Sequence, residues 1–293
     1  HPQAEEEDEL LIWCGTQGTV SLSKQIAKAL NLENSKVHLR SGNVGGGFGY
    51  KIFLHPEQLC VSWAAKKLKR AVRWHQERTE GFISDLQGRD TSSHAKALVT
   101  KTGKIKAVQF QNHANLGSWL SNFGIYVPTK STCRTLTTLY DISYVSLEVT
   151  GVVTNTPAID AYRGAGRPEA NYVMERLMDK IAFDLSLDRI DVRKANFIQA
   201  EQIPYKTVCS GTIDSGDVPT LFELALRNAD VAGFNARYKN SLRNGCFRGL
   251  GIALYLESCG NGRDGGVDIR FNKDGEVNIY AAQMENGQDT SQR

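Results

Sequence analysis

The chain has 293 residues, 41% hydrophobic and 23% charged, the composition of a folded globular protein able to build one large or two ordinary domains. Its net charge of +3 is spread along the chain and no run of eighteen apolar residues occurs, so neither nucleic acid nor a membrane is expected as a partner. Residues 1–9 are acidic, unlike a secretory leader, and six scattered cysteines without a C-x-x-C pair support neither zinc nor iron–sulfur frameworks; free, mostly buried thiols in a cytoplasmic protein are expected.

In chain order, residues 10–13 read as a short strand. After a turn at 15–18, a helix is predicted with Leu22, Ile26, Ala29 and Leu30 on its apolar face and Lys24, Gln25 and Lys28 opposite. Residues 37–40 are strand-like and run into Gly45, Gly46, Gly47, Phe48 and Gly49. Pro56 predicts the start of a helix reaching about Arg70, where Lys66, Lys67, Lys69 and Arg70 complement the carbonyl end of its dipole. A strand at 72–74 completes an alternating, layered α/β order.

Residues 92–117 read as a hairpin, with 97–100 and 105–110 flanking a turn at 101–104, and 144–153 alternates as a strand. A glycine-bearing loop at 161–166 meets Pro168, which predicts a helix with Val173, Leu177 and Ile181 as its buried stripe, and a short helix follows at 187–196. Residues 201–216 are polar and turn-rich, a candidate linker. Helices are predicted at 218–228 and 233–242, a strand at 248–257, and a hairpin at 267–271 and 277–282 across Asn272 to Gly275. A short apolar strand followed by glutamine and glycine occurs twice, at 12–18 and 279–288, a faint trace of a duplicated half. The expected fold is α+β or mixed α/β, with mixed sheets flanked by helices.

Three segments could carry chemistry. Residues 45–49 permit positive φ and close approach of backbone N–H groups to a ligand, yet their spacing fits neither a dinucleotide fingerprint nor a P-loop; a plain structural turn is the alternative. Residues 161–170 combine Arg163, Arg167, two glycines and a helix start, which reads either as an anion site or as arginines tying a loop to carbonyls. Gln17 and Gln288 each follow a strand in a glycine-containing turn, where the amide either meets a ligand or is simply solvated. His38, His55, His75, His94 and His113 show no i, i+4 pairing and no G-x-S-x-G elbow exists, which removes metallohydrolase and serine-hydrolase readings.

In this order the segments resemble the molybdenum hydroxylase family, which includes xanthine dehydrogenase, aldehyde oxidase and the large subunit of carbon monoxide dehydrogenase. The motifs stand here as Thr16 and Gln17; Gly45, Gly46, Gly47, Phe48, Gly49, Tyr50 and Lys51; residues 161–170; and Gly287, Gln288 and Asp289. The resemblance implies a molybdopterin-binding domain whose first half is 1–200, with a linker and helices at 201–244 and an incomplete second half beginning at 245–293. It implies a molybdenum–molybdopterin cofactor, with the cytosine dinucleotide form as one version. Gln17 would bond the metal's oxo group, Gly47, Phe48 and Gly49 would line the metal and dithiolene, Arg163 would hold the pterin side, and Asn286, Gly287 and Gln288 would contact the pyrophosphate. No protein metal ligand is implied, because the dithiolene holds the metal.

The same resemblance implies an oxidoreductase hydroxylating a small-molecule substrate with water as oxygen source. It also implies iron–sulfur and flavin subunits or domains, the remainder of the molybdenum subunit, and a homo-oligomeric assembly. The family's general-base glutamate belongs to a later segment, so no catalytic residue is expected here and the isolated chain is expected to be inactive. Tyr50 replaces a glycine, and Ile52 stands where purine oxidisers carry a glutamate; an aldehyde or aromatic heterocycle is therefore the expected substrate. Asp289 replaces the last glycine of the fourth motif. The alternative is a cofactor-free, non-catalytic remnant of such a subunit.

Overall fold

The computed structural model describes residues 9–258, 266–281 and 284–287. They group into two compact units: one comprises the residues up to 87, 160–163 and the described residues beyond 259, and the other 88–159 and 164–258.

The first unit opens with a β-α-β turn of chain. Strand β1 (Leu10–Trp13), helix α1 (Thr19–Ala29) and strand β2 (Val37–Arg40) follow one another, and β1 and β2 pair in parallel with Leu10 opposite Val37. Parallel neighbours need a crossover, and α1 supplies it. Leu22 and Ile26, one helical turn apart, are fully buried with Ala27 against Leu10 and Val37; Ala29, expected on this face, is exposed and Ala27 takes its place. Helix α2 (Pro56–Leu68) starts at Pro56 as expected, with Gln58 Oε1 accepting from His55 N at 3.0 Å. It ends at Leu68 because Lys69 turns left-handed (φ 46°). Lys66 reaches the carbonyl of Leu30 at the end of α1, 3.0 Å away, so the basic run does serve a helix end, that of a neighbour. The strand expected at 72–74 does not form: those residues pair with nothing, and a strand needs a partner ladder. A short helix, α3 (Arg78–Ser84), follows unannounced, closed at its start by Glu80 accepting from Glu77 N at 3.2 Å.

The second unit is built on a mixed sheet of order β3-β4-β5: β3 (Thr91–Val99), β4 (Ile105–Gly117) and β5 (Tyr144–Val153). The β3–β4 hairpin occupies the 92–117 stretch where it was expected, and β5 joins β4 in parallel. Between them the chain winds through a π-turn and one turn of helix, α4 (Thr132–Arg134). Helix α5 (Arg167–Leu185) buries Ala170, Met174, Leu177, Met178 and Ile181 against this sheet; Val173, expected in that stripe, is only half-buried. Helix α6 (Arg189–Lys194) is capped by Asp188, which accepts from Ile190 N at 2.6 Å. The candidate linker carries a two-residue hairpin of β6 (Tyr205–Lys206) and β7 (Thr212–Ile213), before α7 (Val218–Asn228) and α8 (Phe234–Arg243).

Arg193 lies in this core with no exposed surface. Its guanidinium meets Glu175 Oε2 and Asp179 Oδ1, each at 2.9 Å, and Tyr140 donates to the other oxygen of Glu175 at 2.5 Å. Burial, then the charge of Glu175, push the Tyr140 phenol well above its usual range. The predicted strand at 248–257 does not form: the segment joins no sheet, and side chains hold its backbone, with Asn171 bracketing Leu256 through Oδ1 and Nδ2 at 2.8 and 3.1 Å and Arg193 donating to the carbonyl of Ile252 at 3.1 Å.

Of the described cysteines only Cys209 is buried; Cys14 and Cys133 are half-buried, and Cys60 and Cys246 are exposed, so thiol burial is less than expected. A hydrogen bond with Cys209 lowers the Cys133 thiol below its usual range. The chain returns to the first unit with the antiparallel hairpin of β8 (Val267–Phe271) and β9 (Val277–Ala281), turned at Gly275 (φ +88°) as predicted.

Candidate functional site

The loops that follow β1 and β2 meet. After β1, Thr16 is fully buried; its hydroxyl donates to the carbonyl of Lys51 at 3.0 Å and accepts from Gly18 N at 3.2 Å. Gln17 N donates to the same Lys51 carbonyl at 2.9 Å. After β2 the chain enters the glycine loop, with φ of +68° at Gly45, +86° at Gly46, +53° at Phe48 and +97° at Gly49. The glycines adopt these angles freely, whereas Phe48 stores about 1–2 kcal/mol there. The loop closes with Tyr50 N donating to Gly47 O at 3.0 Å.

Gln17 and the glycine loop are in direct contact. Gly49 N donates to Gln17 Oε1 at 3.0 Å, and a Cβ at Gly47 would stand 2.3 Å from Gln17 Cδ. Residues 160–163 pass close on another side: a Cβ at Gly49 would meet the Ala161 carbonyl at 2.7 Å, and Arg163 N donates to Phe48 O at 2.9 Å. The Arg163 guanidinium lies 5.7 Å from the centre of the half-exposed Phe48 ring. Gly287 (φ +95°) completes the cluster, since a Cβ there would come within 3.2 Å of Gly46. Five of the residues singled out from sequence, Gln17, Gly47, Phe48, Gly49 and Arg163, are thus neighbours, and Gly287 joins them. Asn286 adjoins Gly287, and Gln288 lies outside the described residues.

The chemistry of this cluster is that of a donor cradle. Among the described residues, the N–H groups of residues 45–48 have no hydrogen-bond partner, and Gln17 uses its oxygen on Gly49 while its amide Nε2 makes no hydrogen bond. Runs of positive φ turn such N–H groups toward one side, a geometry that suits oxygen-rich anions. Glycine at 47 and 49 lets the Gln17 side chain and the Ala161 carbonyl pack directly on the loop. The described residues hold no cluster of three His, Cys, Asp or Glu placed for a metal ion.

The second arginine of the 161–170 segment behaves differently. Arg167 pairs with Glu257 at 3.1 Å and donates to the Gly164 carbonyl at 3.1 Å, the loop-tying role. Of the two readings open for this segment, an anion site at the start of α5 meets a carboxylate already in place, Glu169, which accepts from Gly166 N at 3.0 Å. Thr16, Tyr50 and Lys51 stand in the sequence motifs without a role of their own, because the contacts that give them one, Thr16 with Lys51 and Tyr50 with Asp85, each span 35 residues. Tyr50 donates to Asp85 at 2.6 Å and stacks on His55 at 4.3 Å. Burial, followed by that hydrogen bond and charge, pushes its phenol up. The cavity lined by Asn112, Phe110 and Val173 lies in the second unit and contains none of the candidate residues.

A family model described as the molybdopterin cofactor-binding domain matches residues 2–197. The chain is similar to the carbon monoxide dehydrogenase large chain of Hydrogenophaga pseudoflava, 31% identical over 81% of this chain and 30% of that protein. It is likewise similar to the 6-hydroxypseudooxynicotine dehydrogenase complex subunit gamma of Paenarthrobacter nicotinovorans, 26% identical over 96% of this chain and 36% of that one. Among solved structures, quinoline 2-oxidoreductase from Pseudomonas putida 86 shares the fold with a TM-score of 0.87 at 24% identity, over 96% of this chain and 37% of that chain. The chain therefore spans about a third of the length of these relatives.

Proposed function

The chain belongs to the molybdopterin cofactor-binding domain family, and from that premise we propose that it is part of a molybdopterin-dependent hydroxylase or dehydrogenase. The substrate class is an aldehyde or an aromatic heterocycle. The supporting observation is the meeting of Gln17, the 45–49 loop and Arg163, from three distant stretches, around unpartnered N–H groups. A pterin dithiolene fits such a cradle: it is flat, rich in acceptors and anionic, and it carries its own metal ligands.

In this reading the N–H groups of residues 45–48 and the Gln17 amide donate to the cofactor's oxygen side. Arg163 supplies a cation beside it, and Asn286, Gly287 and Gln288 take the pyrophosphate. Phe48 presents an apolar ring that keeps water from one flank and offers a stacking face to a planar substrate. When bound, the cofactor supplies the two-electron oxidation in which a substrate C–H and water become C–OH, two protons and two electrons. The electrons leave through iron–sulfur and flavin partners, and the remainder of the molybdenum subunit and a homo-oligomeric, cytoplasmic assembly belong to the same proposal. So does the division into a first half at 1–200, a linker with helices at 201–244 and a second half from 245. None of the described helices is long and apolar enough to cross a membrane.

The test is metal and pterin analysis of the purified protein from a molybdenum-cofactor-producing host, with dye reduction by aldehydes and quinoline-type heterocycles. Molybdenum and pterin near one per chain are expected, with turnover on one of these classes only when the remainder of the molybdenum subunit and the redox partners are supplied, because the isolated chain lacks the family's general base. A folded protein without either would leave the remnant reading in its place.

A further inference from the structure

Two features of Lys51 stand out once the loops are traced. Its carbonyl takes both donors of the first motif, Thr16 Oγ1 at 3.0 Å and Gln17 N at 2.9 Å. Its side chain turns back across the glycine loop, and Nζ donates to the Val44 carbonyl at 2.5 Å. The amine also passes close to the first turn, 3.6 Å from where a Cβ at Gly15 would stand. One residue therefore fastens the entrance of the glycine loop with its ammonium and the Gln17 turn with its backbone.

We propose that Lys51 is a positioning residue: its ammonium locks the 44–51 loop shut and so fixes where Gln17 and the N–H groups of residues 45–48 point. The inference rests on the cofactor reading for its functional consequence but not for its structural content. A loop carrying positive φ at four of its residues has many competing conformations, and glycine adds to them. A charged donor on a backbone carbonyl is among the stronger single hydrogen bonds available to close such a loop. The alternative role for a lysine beside an anion cradle is direct contact with the anion as a point charge. Here the partner the ammonium has among the described residues is the Val44 carbonyl of the loop itself, which favours the clamp.

The expected consequence is local. Without the ammonium the loop ends separate, the Lys51 carbonyl drifts, and Gln17 loses the anchor of its own N–H. The β1–α1–β2 core, centred on Leu22 and Ile26, makes no use of Lys51 and stays intact.

The experiment compares the wild type, Lys51→Met, and Lys51→Cys alkylated with bromoethylamine to restore an ammonium on a chain of similar length, with alkylated wild type as control. Hydrogen exchange is read at the amides of Gln17 and Gly49, and molybdenum retained per chain after gel filtration is read in parallel. In Lys51→Met both amides are expected to exchange about tenfold or more faster while those of α1 do not change. Retained molybdenum is expected to fall about tenfold, and alkylation of the cysteine variant to restore both readouts to within about twofold. Unchanged exchange at Gln17 and Gly49 in Lys51→Met overturns the proposal, and so does faster exchange spread evenly over α1 and the loops. Failure of the alkylated variant to recover also overturns it. If the wild type holds no molybdenum, the cofactor reading fails while the exchange comparison still decides the role of Lys51.

Discussion

The network around Arg193 and the loop cluster around Gln17 handle polar groups in opposite ways. Arg193 is a fully buried cation ringed by protein acceptors: Glu175 and Asp179 with their charges, and the carbonyls of Arg189, Glu175 and Ile252. In the loop cluster the N–H groups of residues 45–48 find no acceptor among the described residues, and a bulky residue, Phe48, is held at φ +53° with its ring half-exposed. Buried charges survive only when paired, whereas a row of bare amides persists where solvent or a ligand supplies the acceptors. The difference separates polar groups that hold the fold from polar groups that are held by it for use.

The largest test of that contrast is Arg193→Met. It leaves Glu175 buried and without its guanidinium, a change that typically costs about 3–5 kcal/mol, and the urea midpoint should fall accordingly or the protein should fail to fold. Adding Glu175→Gln to the same chain should recover part of the loss, because the stranded charge is then gone. A single variant as stable as the wild type would show that the network is not what holds α5 and α6.

Tyr140→Phe probes the same network more gently and adds a pH signature. Removing the hydroxyl strips one donor from buried Glu175, worth about 1–3 kcal/mol at neutral pH. The folded phenol is pushed up by burial and by the charge of Glu175, so it keeps its proton at a pH where the unfolded chain ionises. Stability from that proton is complete below the ordinary tyrosine value of about 10 and is lost as pH rises through and beyond it. Wild type should therefore lose stability steeply above about pH 10, and Tyr140→Phe should show a shallower fall over the same range. The slope will not vanish, since burial also raises Tyr50, Tyr205 and Tyr255. Parallel slopes for the two proteins would place the alkaline sensitivity elsewhere.

Legibility in the sequence followed the range of the interactions. The β3–β4 and β8–β9 hairpins were readable because Gly103 and Gly275 sit between alternating runs that pair with each other. Residues 72–74 and 248–257 carry the same strand-like residues but lack a neighbour, and the second stretch gives its backbone to Asn171 and Arg193 instead. Nothing local distinguishes a strand from a segment without a ladder held by side chains 59–85 residues away. At the site, the glycine loop, Gln17 and Arg163 were readable as motifs. The roles of Thr16, Lys51 and Asp85 were not, because each is defined by a partner that only the fold brings near. The two arginines at 163 and 167 are alike in sequence and separated in role only by what each meets: Phe48 for one, Glu257 for the other.

The smallest expected change in stability makes the sharpest comparison. Gly47→Ala introduces a Cβ that would lie 2.3–2.4 Å from Cδ, Cγ and Oε1 of Gln17. Those atoms are the end of a flexible side chain, and Gly47 itself is absent from the positive-φ glycines, so the clash is relieved by swinging Gln17 aside. A loss below about 1 kcal/mol is expected in urea unfolding, from the one hydrogen bond that Gly49 N gives up. At the cradle the effect is of another order: the Gln17 amide no longer faces the loop, because the methyl group takes its place. Retained molybdenum should then fall about tenfold or more, the weight of one charge-assisted contact or its steric equivalent. A variant that stays folded and loses cofactor would separate fold from use at a single methyl group. If Gly47→Ala instead unfolds as readily as Arg193→Met, the loop is part of the scaffold and the contrast between the two regions fails.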